Sequence, residues 1–219
     1  MKTKFLISLL FPFVPLFYIA YQWNHIPEIV PLHFDLNMIP NRFGSKLELL
    51  WMIIFISCVS ILLTLLFKYL PKIDTKKNLE NQKGILESIG LGMSIFMAII
   101  GYFIVQSSIS GGRKGSIITY LPMIILFFMA FLGNYLINIK RNHFIGIRTP
   151  WTLESESVWR KTHQFAGKLI FYGNLTGIVI LFFIPENNLK TIFTVTLLVI
   201  IFATSIYYSY KIYKEESII

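Results

Sequence analysis

Six apolar stretches recur along the chain, at residues 5–21, 49–67, 89–105, 117–137, 169–184 and 191–210, with almost no Asp, Glu, Lys or Arg inside them. Each is about as long as an α-helix must be to cross a hydrocarbon core of roughly 30 Å. The pattern predicts an all-α fold: a polytopic membrane bundle of six transmembrane helices. Lys2 and Lys4 precede the first stretch as they would in a signal peptide, but Tyr18 and Ala20 make a poor cleavage site, so this helix is expected to be retained.

Two polar connections are too long to be plain turns. Residues 22–48 hold Pro27, Pro31 and Pro40 among His, Asp, Asn and Trp, which predicts an irregular, extended or turn-rich loop. In residues 138–168 the first half should be non-helical through Thr149, because Pro150 disfavours helical geometry before it. The second half reads as a helix with Thr152 as N-cap and Glu154 and Glu156 in its first turn. Val158, Thr162, Phe165, Ala166 and Leu169 form one face leading into the fifth span. Residues 107–116, rich in Gly and Ser, read as a flexible loop. Three regions follow: 1–70, two helices and the Pro/His loop; 71–116, a basic loop, the third helix and the Gly-rich loop; and 117–219, the last three helices with the patterned connection.

Composition sharpens this picture. With 55% hydrophobic and 14% charged residues over 219 positions, the chain lies far from the balance of a soluble domain. The net charge of +9 would suit a nucleic-acid binder, but the basic residues cluster at span ends and no nucleic-acid motif accompanies them, so membrane lipid is the expected partner and direct nucleic-acid binding is not. With the N-terminus inside, 15 Lys and Arg fall on cytoplasmic segments and 5 on external ones, which predicts N-in/C-in orientation; in a cell with a bacterial-style plasma membrane, that membrane is where the chain would sit. The 138–168 segment is then cytoplasmic and the 22–48 loop external.

Candidate chemistry is sparse. The predicted spans contain no ionisable groups of the kind a transporter needs at membrane depth. They do hold Asn134, Asn174, Ser57, Ser60, Thr64, Ser94, Thr176, Thr194 and Thr196, read as hydrogen-bonding groups between helices, with Asn134 set beside Gly133 where a neighbour can approach closely. His25 and His33 with Glu28 and Asp35 match no common zinc spacing, and His143 and His163 lack a clustered carboxylate pair, so no metal and no cofactor are expected. Cys58 is alone, which excludes an intrachain disulfide, and there is neither a Gly-x-Ser-x-Gly elbow nor a P-loop. No catalytic residue is assigned.

Gly133-Asn134, then residues 142–159 reading Asn-His-Phe-Ile-Gly-Ile-Arg-Thr-Pro-Trp-Thr-Leu-Glu-Ser-Glu-Ser-Val-Trp, then Thr162-His163 and Gly167-Lys168, resemble the signature of the SdpI family of bacterial integral membrane proteins. The 22–48 loop has a second resemblance, through Pro27, Pro31, His33, Phe34, Pro40, Ser45 and Lys46, to a domain of unassigned function found at the N-terminus of longer SdpI-like proteins. Asn37 stands where that pattern carries a Gly, a change a left-handed turn tolerates. The resemblance implies immunity to a secreted peptide toxin of the SdpC type. For some members it also implies signalling of toxin occupancy by holding a DNA-binding repressor at the membrane.

The candidate partner-binding residues are accordingly Asn134, Asn142, Gly146, Arg148, Thr149, Pro150, Trp151, Thr152, Trp159 and His163 on the cytoplasmic side. On the external side they are Pro27, Pro31, His33, Phe34, Pro40 and Lys46. Arg148 offers a planar, permanently charged fork for a carboxylate, a carbonyl cluster or a lipid phosphate, and Trp151 and Trp159 suit the membrane interface. Three roles remain for the signature: packing under the bundle, partner contact or catalysis. The competing reading of the whole chain is a membrane enzyme or small-solute transporter that uses the Arg/His/Trp cluster.

Overall fold

Pro12 and Pro15 lack the N–H groups that would continue a helix, and the first span breaks between them and the preceding turn. In the computed structural model, which describes residues 2–74, 79–111 and 117–217, this span consists of α1 (Lys2–Leu10) and α2 (Phe13–Gln22). The break is repaired from outside the helix. The Ser8 carbonyl, which would otherwise bond the missing Pro12 N–H, accepts from the Ser94 hydroxyl, and the Pro12 carbonyl accepts from Ser57 at 2.7 Å. Both serines are buried, so their predicted hydrogen-bonding role takes a definite form: they complete the backbone of a broken neighbour.

The chain continues through a β-hairpin, β1 (Ile29–Phe34) and β2 (Pro40–Ser45), into α3 (Lys46–Ile73) and α4 (Lys83–Ile109). It then forms α5 (Leu121–Leu136), the short α6 (Pro150–Glu154), α7 (Glu156–Leu181) and α8 (Asn187–Ser217). Among the described residues six helical segments are long and apolar enough to cross a membrane: Thr3–His25, Lys46–Ile73, Glu80–Ile109, Ile117–Leu136, Glu156–Leu181 and Asn187–Ser217. They coincide with the six predicted stretches. Lys76, Lys77, Gly112, Arg113, Lys114 and Gly115, which enter the orientation and loop arguments, lie outside the described residues.

The distribution of side chains suits a lipid surround. Ser57, Ser94, Ser205, Ser209 and Gly133 are buried between helices, whereas Phe17, Trp51, Phe55, Phe183 and Val199 face outward. A core of small and hydroxyl-bearing residues beneath an apolar exterior is how helices pack when the solvent is itself hydrocarbon. Closest approach comes between α5 and α7. A Cβ placed on Gly133 would lie 3.0 Å from the Gly167 carbonyl oxygen, and one on Gly167 would lie 2.8 Å from that of Gly133. The close approach expected beside Asn134 is therefore present, but Asn134 itself points out of the bundle and is exposed.

The 22–48 segment differs from its prediction as a loop. It is an antiparallel hairpin in which Ile29 pairs with Ser45 and Phe34 with Pro40, with irregular register around His33. Val30 buries in a cluster with Ile19, Ile26, Leu49 and Val105, and Pro31 beside it is buried too. Proline is tolerated in β1 because the bond it makes there uses its carbonyl, which accepts from Ser108 at 3.0 Å. At the tip, Asp35 Oδ1 accepts from the N–H groups of Asn37 and Ile39, both at 2.9 Å, and Met38 rather than Asn37 takes the left-handed conformation, at φ 60°. Ser45 closes the hairpin as N-cap of α3, in a reciprocal capping box with Glu48.

Of the stretch expected as a flexible loop, residues 107–109 are helical instead, and residues 112–116 lie outside the described residues. α4 runs on to Ile109, and Ser107 and Ser108 are fully buried under β1.

Candidate functional site

The signature residues gather at the end of the bundle opposite the hairpin, where the segment between α5 and α7 folds back on itself. Asn142, 1% exposed, organises the first turn. Its Oδ1 accepts from the N–H groups of Phe144 and Ile145 at 2.8 and 2.7 Å, while its Nδ2 donates to the carbonyls of Lys140 and Ile145 at 2.8 and 3.1 Å. All four hydrogen-bonding positions of the amide are thus spent on four backbone atoms of one short loop. Another side chain of this size would leave several of them unpaired.

Gly146 follows with φ 115°, a conformation reserved for glycine, and a Cβ there would collide with the His163 ring. Beneath it His163 is buried and stacked on Trp159, with ring centroids 3.9 Å apart. His163 Nδ1 meets the Trp159 carbonyl at 2.8 Å and Nε2 receives the Ile147 N–H at 3.0 Å. One nitrogen faces an acceptor and the other a donor, which defines a neutral imidazole with its proton on Nδ1. Trp159 is buried too and donates Nε1–H to the Ile139 carbonyl at 2.8 Å. His163 and Trp159 therefore fasten the two limbs of the loop, residues 139 and 147, to the first turns of α7.

The loop ends in a cap. Thr149 is the N-cap of α6, with Pro150 at the first helical position. Thr152, expected as the cap, is its reciprocal partner: its Oγ1 accepts from Thr149 N–H at 2.9 Å and donates to the Ile147 carbonyl at 2.8 Å. Ser155 then caps α7, so Glu154 ends α6 and Glu156 opens α7. On α7 the buried face is Val158, Trp159, Thr162, His163, Ala166 and Gly167, shifted around the helix from the predicted face, in which Phe165 and Leu169 are only half-buried.

Arg148 and Trp151 point away from this closed core. The Arg148 guanidinium is exposed and donates Nη1–H to the Phe144 carbonyl at 3.1 Å. Trp151 is half-buried against α8, donating to Ser209 Oγ at 2.8 Å and packing on Tyr210 and Tyr213. Glu216, near the end of α8, accepts from Ser157 at 2.7 Å and pairs with Lys161 at 2.8 Å. None of Ser209, Tyr210, Tyr213 and Glu216 stands out in the sequence, although the Ser205/Ser209 spacing already puts two hydroxyls on one α8 face. His143 is exposed and does not join His163.

At the hairpin end the candidate residues are more open. Pro27 and His33 are exposed, Phe34 and Pro40 are half-buried, and Pro31 is buried. His33 Nδ1 bonds Asn41 across the strands, and Lys46 pairs with Glu28 at 2.6 Å while lying 5.2 Å from the centre of the Trp23 ring. Glu28, Asp35 and His33 each engage a hairpin neighbour. Among the described residues no three His, Cys, Asp or Glu side chains converge as a metal site would require. Ile29, Leu36, Ile39 and Phe43 all face outward. The tip also reaches α8, whose Thr191 and Asn187 side chains donate to the Leu36 and Asn37 carbonyls at 3.3 and 3.4 Å.

Most residues of the two sites fall within two recognised sequence regions; Asn134, Tyr213 and Glu216 lie just outside them. Residues 138–210 match the SdpI/YfhL protein family, and residues 10–57 match a domain of unknown function, DUF1648. Over 196 residues the chain is 29% identical to "Immunity protein SdpI" of Bacillus subtilis (strain 168), covering 88% of this chain and 87% of that protein. No solved structure matches the chain significantly.

Proposed function

Because residues 138–210 match the SdpI/YfhL family and most of the chain is similar to the Bacillus immunity protein, we propose that it is an SdpI-type immunity protein of the bacterial plasma membrane, protecting the cell that makes it against a secreted SdpC-like peptide toxin. The observation that carries this reading is the likeness to the Bacillus immunity protein along nearly the whole chain, hairpin and signature included. The basic asymmetry of the sequence favours an orientation with both termini inside, which puts the hairpin on the face a secreted peptide reaches first. There the outward Ile29, Leu36, Ile39 and Phe43 offer an apolar surface bordered by His33 and Arg42, suited to an amphipathic peptide.

A finer part of the proposal is that toxin occupancy is passed to a cytosolic DNA-binding repressor. What supports it is α8, about 46 Å long at 1.5 Å per residue, whose first turns hold the hairpin tip and whose last turns hold Trp151, Ser157 and Lys161. A shift of the hairpin on toxin binding would be transmitted by a rigid helix to the signature face where such a partner would dock. The test is survival of a toxin-sensitive bacterium expressing this chain under challenge with an SdpC-like peptide, with membrane abundance measured in parallel. Protection is the expected result. Undiminished killing at normal abundance refutes the immunity reading.

A further inference from the structure

Two cavities have Phe67, near the end of α3, in their linings. One, of about 260 Å³, is almost wholly apolar and lies in the seam between the first four helices and the rest, lined by Ile89 and Met93 of α4, Met129 and Leu136 of α5, and Ile145 and Ile147 of the signature loop. The other, of about 220 Å³, is lined by Lys68, Pro71 and Lys72 of α3 and by Lys83 and Glu87 of α4. Phe67 lines both.

The depths differ in a telling way. Lys68 and Lys72 lie in the last six residues of α3 and Lys83 is the first residue of α4, so the basic cleft sits where the helices leave the membrane. Ile89 and Met93 lie six and ten residues further along α4, roughly 9 and 15 Å deeper at 1.5 Å per residue. Three ammonium groups face one carboxylate in the cleft, Glu87, and Lys83 also pairs with Glu80 at 3.7 Å. Among the described residues Lys68 and Lys72 lie over the rings of Phe5 and Tyr69 rather than against carboxylates. Lys4 brings another cation nearby, bonded to Ser88.

A cationic cleft at headgroup level beside an apolar cavity one to three turns deeper, the two sharing Phe67, suits an occupant with an anionic head and an apolar chain. We infer that it holds one anionic glycerophospholipid, its phosphate among Lys68, Lys72 and Lys83 and an acyl chain in the seam against the signature loop. The lipid would fill space between the two halves of the bundle and brace residues 145–147 from below. This inference rests on the membrane fold and not on the immunity reading, and its test uses no toxin.

The full chain in detergent is titrated with phosphatidylglycerol and with phosphatidylcholine of the same chains, and bound lipid is counted by native mass spectrometry. One phosphatidylglycerol should be retained at a concentration at least about tenfold below that needed for phosphatidylcholine, since each interfacial lysine contributes about fivefold. Lys68→Gln, Lys72→Gln and Lys83→Gln combined should abolish that preference. The control pair Lys211→Gln and Lys214→Gln, on α8, should keep it. Met129→Trp, which fills the seam, should weaken both lipids, with thermal unfolding confirming that the variant is folded. Equal retention of the two lipids by the unaltered chain overturns the inference. So does an equal loss in the α8 control, which would mean diffuse charge attraction, or displacement by free glycerol phosphate at lipid-like concentrations, which would mean an anion cleft without a chain site.

Discussion

At the signature end, Asn142, Thr152, Trp159 and His163 are buried and spend their polar atoms on nearby backbone. At the hairpin end, His33, Arg42 and Phe43 are exposed, and the ion pair of Arg42 with Glu48 at 3.1 Å lies in the open. The first arrangement determines a shape and leaves little for a partner beyond Arg148, His143 and the rim. The second leaves side chains free, held by a scaffold whose buried part is Val30 and Pro31. Partner chemistry in this chain should therefore separate from stability at the hairpin and coincide with it at the signature.

That contrast can be broken most forcefully at Asn142. Asn142→Leu keeps the volume but strands two N–H groups and two carbonyls, and should cost roughly 2–4 kcal/mol, read as loss of folded protein in membranes and a lowered unfolding temperature in detergent. Full stability in this variant would mean that the loop does not depend on its amide. Gly146→Ala should follow at about 1–3 kcal/mol, from a Cβ at positive φ pressed on His163, with the same readout.

His163→Phe sharpens the comparison, since it keeps a ring against Trp159 while leaving the Ile147 N–H without an acceptor. A loss of about 1–3 kcal/mol is expected, and His163→Asn should not rescue it, because the shorter amide cannot span from the Trp159 carbonyl to Ile147. At the other end, Phe43→Ala and His33→Ala should change stability by no more than about 0.5 kcal/mol, yet lower survival under toxin challenge. Unchanged survival with both variants well inserted would remove the hairpin from recognition. Smallest of all, Arg148→Lys retains a cation and a donor for one carbonyl, so stability should change by no more than about 0.5 kcal/mol, read as an unchanged unfolding temperature in detergent and unchanged membrane abundance.

The spans were readable because an apolar run of sufficient length has one stable outcome in a bilayer. The hairpin was not, since a proline argues against a strand unless, as at Pro31, its carbonyl rather than its missing N–H is the group in use, and Ser108, whose hydroxyl makes that bond, is distant in sequence. The cap at Thr149 was displaced to Thr152 because two threonines flank Pro150-Trp151, and the preference of proline for the first helical position decides between them. Asn142, Gly146 and His163 were visible as parts of a motif, but their roles depend on which backbone atoms the loop returns to. Glu216 and Ser209 stayed hidden because their partners lie 55 to 61 residues away.

The break at Pro12 also puts the assembly of this protein in an order. As the chain emerges, α1 and α2 enter the bilayer with a Ser8 carbonyl whose own helix offers no donor at the usual position, and the hydroxyl that satisfies it is made 86 residues later. The partner of Pro12 comes 45 residues later. A free carbonyl in hydrocarbon is costly, so the first span is an incomplete membrane helix until α3 and α4 arrive, and it has reason to stay near the insertion machinery and wait for them. The helix broken at Pro12 is thus finished only by the two that follow it.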